Sequence, residues 1–137
     1  MRVALASAVG AFLLVTLTAC SSPAPEAHQD LWVATESSGV SGAAIVAGDL
    51  TRNAGGCFGL SMPHGQPGES EFYTTQFPKG TEVLEDESGV ALPNGDIVML
   101  GEFINGGGGY LSESSLDELE NFPASCPSAE VAVLEAL

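Results

Sequence analysis

Short apolar runs separated by turn-forming residues fill the chain beyond its first forty positions. Val40 to Leu50 reads as a strand interrupted by Gly42 and Gly48. Phe58, Leu60 and Met62 alternate with Cys57, Gly59 and Ser61. That period of two puts the apolar three on one face of a strand and turns Cys57 to the other. Ser70 to Phe77 contains Phe72, Tyr73, Thr74 and Thr75, residue types that suit a pleated, half-buried surface. Phe77-Pro78-Lys79-Gly80 is turn chemistry, with proline presetting φ at the second position, and Thr81 to Leu84 resumes a strand.

The clearest hairpin comes next. Val90-Ala91-Leu92 and Ile97 to Leu100 flank Pro93-Asn94-Gly95-Asp96, and Asn-Gly supplies the positive φ values of a tight connection. Phe103-Ile104 leads into Gly106 to Gly109, read as a turn, and then into Tyr110-Leu111. One short helix is predicted near residues 115 to 121. Ser115 and Glu118 fit a capping box, Leu116, Leu119 and Phe122 form the apolar stripe, and Pro123 stops it. Glu130 to Leu134 is the last strand. These elements predict a mainly β domain, a small antiparallel barrel or sandwich with one short helix.

The first twenty positions follow a different pattern. Arg2 is a minimal positive start, and Val3 to Leu17 is an uncharged, mostly apolar run. It is shorter than the roughly 20 residues that span a bilayer and suits the apolar region of an export signal. Small residues and Cys20 follow. Leu17-Thr18-Ala19-Cys20 resembles the lipobox of bacterial lipoproteins, an aliphatic residue and two small residues before a cysteine. The resemblance implies a diacylglyceryl group on the Cys20 sulfur, cleavage of the bond before it, and residence at the cell membrane on its extracytoplasmic face. Acyl chains contribute about 0.8 kcal/mol per buried methylene, so two or three of them anchor a domain durably. The expected divisions are a signal peptide over 1–19, a lipidated N-terminus and flexible tether over 20–37, and a compact acidic domain over 38–137. Ser21 to Asp30 is small, polar and punctuated by Pro23 and Pro25, the composition of a tether. Trp32, the only tryptophan, is read as core-packed because Leu31 and Val33 flank it.

Charge narrows the function classes. All 18 acidic residues follow Cys20, while Arg52 and Lys79 are the only cationic side chains of the mature part, apart from histidine. Its formal charge is therefore −16 over 118 residues. Such a surface repels phosphate backbones and anionic headgroups, so no nucleic-acid partner is expected.

With Cys20 assigned to lipid, Cys57 and Cys126 remain, an even number in an oxidising compartment. A structural disulfide is the preferred reading, ahead of a redox pair or a metal site. Two cysteines with His64 at no short spacing make a poor zinc set. The other histidine, His28, falls in the tether.

Candidate catalytic chemistry is sparse. Gly59-Leu60-Ser61-Met62-Pro63 approaches a nucleophile elbow, with proline in place of the final glycine, and His64 follows. Glu82, Glu85, Asp86 and Glu87 form an acidic cluster, read as a solvated turn rather than a cation loop. Gly106 to Gly109 has neither the lysine nor the hydroxyl residue of a phosphate loop. No catalytic, cofactor or metal residue is assigned. Part of the strand pattern also resembles the OB-like barrels of small envelope proteins, without the basic aromatic face of those that bind nucleic acid. The resulting expectation is a non-enzymatic binding or accessory domain of unidentified ligand. The alternative is an envelope hydrolase with a scattered site.

Overall fold

The computed structural model describes residues 31–36, 44–63, 65–118 and 120–137. Nine strands follow in chain order: β1 (Trp32–Val33), β2 (Ala44–Arg52), β3 (Phe58–Pro63), β4 (Ser70–Phe77), β5 (Glu82–Val83), β6 (Gly89–Ala91), β7 (Ile97–Met99), β8 (Phe103–Ser112) and β9 (Glu130–Ala136). A 3-10 helix, Glu113–Glu118, lies between β8 and β9.

The domain is mainly β, as the alternating pattern predicts, and of the two expected architectures it adopts the barrel. Antiparallel ladders join β4 to β3, β3 to β2, β2 to β8 and β8 to β9. A parallel pairing of β4 with β9, Thr74 to Val131 through Gln76 to Val133, closes the cycle into five strands. Strands β5, β6 and β7 form a separate small sheet.

Alternation sorts the side chains into two layers. Val46, Leu50, Phe58, Leu60, Tyr73, Phe77, Ile104, Ala132 and Leu134 make the main core, joined by Val90 of β6 and by Leu92 just after that strand. Val131 and Val133 have the opposite parity to Ala132 and Leu134 and are equally buried. The segment 120–128 supports that outer side. Phe122 meets Trp32 edge to face at 5.0 Å, and the Trp32 indole donates to the Glu120 carbonyl. The Thr74 hydroxyl donates to the Pro127 carbonyl.

Several local expectations need correction. Trp32 is buried as predicted, and β1 pairs in parallel with the end of β4. Gly48 does not interrupt its strand; it lies within β2, where a Cβ would stand 2.8 Å from the Ser61 carbonyl oxygen. Gly106 to Gly109 is not a turn but the middle of β8, hydrogen-bonded to β2 and β9. The helix starts two residues early and is 3-10 rather than α. A segment this short gains little from α-helical cooperativity. In the β6–β7 hairpin the connection runs from Leu92 to Asp96. Gly95 takes the positive φ, 94°, while Asn94 accepts the Asp96 N–H through its side chain.

Candidate binding face

The β2–β8 ladder is one of the barrel's four antiparallel pairings. Its register sets Ile45 opposite Gly107, Ala47 opposite Asn105 and Asp49 opposite Phe103. Val46, Leu50 and Ile104 point into the core, so these intervening positions face outward. Ile45 is 75% exposed and Phe103 63%. The two lie at opposite ends of one pleated face, about 14 Å apart along the strand direction. Between them are the half-buried Ala47 and the exposed Asn105 and Gly107. The result is a low, mixed surface with an apolar side chain at each end and a carboxylate, Asp49, directly across from the phenyl ring.

The chain entering this face is held firmly. Leu50 N–H donates to the Glu102 carbonyl and Gly101 N–H to the Leu50 carbonyl. A Glu102 carboxylate oxygen accepts the Met99 N–H at 2.8 Å. These bonds dock the β7–β8 turn onto the end of β2 and fix the start of β8. Met99 and Leu100, both exposed, precede Phe103 on this turn. At the other end the Tyr110 hydroxyl lies 3.2 Å from the Ile45 carbonyl oxygen, to which it donates. Ile45 and Phe103 thus stand as two exposed apolar side chains on one face of a rigid ladder, with Asn105 and Asp49 as its polar members.

The sequence candidates fall elsewhere. Cys57 and Cys126 are brought to disulfide distance, with sulfurs 2.02 Å apart and Cα atoms 5.8 Å apart. The pair joins the β2–β3 connection to the segment before β9. Cys20, His28 and His64 lie outside the described residues. Ser61 is half-buried in β3, opposite Asp49 on one side and Phe72 on the other. The ladder thus sets the Asp49 carboxylate across from the Ser61 hydroxyl.

The acidic cluster is dispersed by its partners. Glu87 pairs with Arg52, whose guanidinium also lies 5.3 Å from the centroid of the Phe58 ring and donates to the Gly56 carbonyl. Asp86 accepts both the N–H and the hydroxyl of Ser88, and those bonds lower its pKa. Among the described residues no group of three or more His, Cys, Asp or Glu is placed to hold a metal ion.

One end of the barrel carries a second polar feature. The Tyr73 hydroxyl donates to Glu71 at 2.9 Å, and its ring meets Tyr110 edge to face at 5.7 Å. Burial, then the Glu71 carboxylate, push the Tyr73 pKa up to about 12.

Sequence reasoning missed Ile45 and Phe103. The one available signal was the glycine run after Phe103, because strand glycines mark places where another backbone or a ligand approaches closely. Comparison with protein-family models, with curated proteins and with solved structures finds no match.

Proposed function

We propose that the protein is a bacterial lipoprotein, anchored through Cys20 at the extracytoplasmic face of the cell membrane, whose barrel is a non-enzymatic binding or accessory domain. The anchor rests on Leu17-Thr18-Ala19-Cys20 after an apolar run. The binding role rests on one observation, the exposed Ile45 and Phe103 side chains on one pleated face of β2–β8.

The barrel is OB-like on this reading. Its second and third strands, β3 and β4, correspond to the face that OB-folds use for oligonucleotides and oligosaccharides. Here part of that face is covered, because Thr74 bonds to Pro127 in the segment next to Cys126. The open surface is carried instead by the first and fourth barrel strands.

Hydroxyl-radical footprinting tests the binding role. Side chains of Ile45 and Phe103 should be oxidised several-fold less in intact envelopes than in the purified chain. Equal oxidation in both settings would remove the case for a bound partner at this face.

A further inference from the structure

We propose that the β2–β8 face docks a cationic polypeptide segment that bears apolar side chains, with an arginine seated on Phe103 beside Asp49. The proposal rests on the binding role above and names the chemistry of the partner.

Charge selects among occupants. A mature formal charge of −16 opposes a second copy of this chain and opposes phosphate-rich surfaces, whereas it attracts a basic segment and steers its approach. The face itself supplies local complementarity. Asp49 stands directly across the ladder from Phe103, and Glu102 precedes it. Directly opposed residues hold their Cβ atoms about 4.5–5.5 Å apart, close enough for one guanidinium to lie on the ring and reach the carboxylate. Arginine suits both tasks, since its planar group stacks on aromatic faces and pairs with carboxylates through a fork of donors.

The fold already contains this arrangement. Arg52 lies over Phe58 and pairs with Glu87. Phe103 and Asp49 present the same two receiving groups at the surface, and Ile45 with Ala47 offers the apolar contact further along the ladder. Extended segments suit a low strand face of this length better than a bulky helix does.

The test uses the full chain in zwitterionic detergent and a fluorescent twelve-residue peptide of alternating arginine and leucine, read by anisotropy at 0.15 M salt. Controls are the same peptide with citrulline, and with glutamate, in place of arginine. The arginine peptide should bind. Phe103→Ser and Ile45→Ser should each weaken binding about tenfold or more, as expected for losing a buried apolar anchor. Asp49→Asn should weaken it about threefold, within the range of an exposed ion pair, and Glu82→Gln should leave it unchanged. Thermal melts confirm that each variant is folded.

Equal weakening by Asp49→Asn and Glu82→Gln, with no effect of Phe103→Ser, would mean diffuse charge attraction and overturn the proposal. Equal binding of the glutamate peptide would overturn the cationic chemistry while leaving the binding face standing. No binding of the arginine peptide would do the same. Self-association lost in Phe103→Ser, seen by sedimentation, would make a second copy the occupant and overturn the proposal.

Discussion

Gly108 in β8 packs so tightly against β9 that a Cβ placed on it would stand 1.8 Å from the Val133 carbonyl oxygen. The register shifts between Gly107 and Gly108 at the same point. An irregularity of this kind bends a strand and tightens its twist, which helps a small barrel close. Gly108→Ala should therefore lower stability by about 3 kcal/mol or prevent folding, by the cost of overfilling a packed site. Gly55→Ala, whose Cβ would meet only Asn53 Oδ1 at 3.3 Å, should cost less than about 1 kcal/mol. Urea midpoints of the two variants measure the contrast.

The Cys57–Cys126 pair spans a sequence separation of 69. Chain-entropy reasoning puts the stabilisation from a bridge closing such a loop at about 4 kcal/mol. The double substitution Cys57→Ser with Cys126→Ser should lower the unfolding free energy by that order. Alkylation of the unreduced protein should find no free thiol at either position. Quantitative labelling of both would contradict the bridge.

Tyr73 sets an alkaline limit. Its folded pKa, about 12, lies above the ordinary value of 10.0, so the folded state holds the proton more tightly than the unfolded state does. The associated stability is complete below pH 10 and is lost as pH rises toward 12. In a Tyr110→Phe variant, tyrosinate absorbance should appear only near pH 12 in the folded chain and near pH 10 in denaturant. A folded-state midpoint at 10 would contradict the burial and the Glu71 bond as causes.

The anchor is tested at Cys20. Cys20→Ser should abolish labelling by radioactive fatty acid and leave the signal uncleaved. Persistent labelling of that variant would remove the lipid from the account.

The sequence made the strand content legible where alternation and turn residues agreed. Ser70–Phe77 has the bounds expected from its strand-forming residues, and Phe58 and Leu60 enter the core as their spacing predicts. The glycine run failed because local propensity reads Gly106 to Gly109 as a turn, whereas the decisive facts are non-local: pairing on both sides and the approach of Val133 to Gly108. Trp32 was recognised as buried, but its parallel pairing with Gln76 in β4 joins positions 44 residues apart and leaves no local trace. The candidate face was hidden for the same reason. Ile45 and Phe103 come to share one surface only through the β2–β8 register.

The most direct test of the account places a photo-crosslinking amino acid at position 103, and separately at the exposed position 82, in the full chain produced in bacterial cells. Irradiation should give a discrete protein adduct from position 103, depleted when Ile45 is also replaced by Ser, and none from position 82. Identical adduct patterns from the two positions, or an adduct from 82 alone, would contradict a binding role for the β2–β8 face.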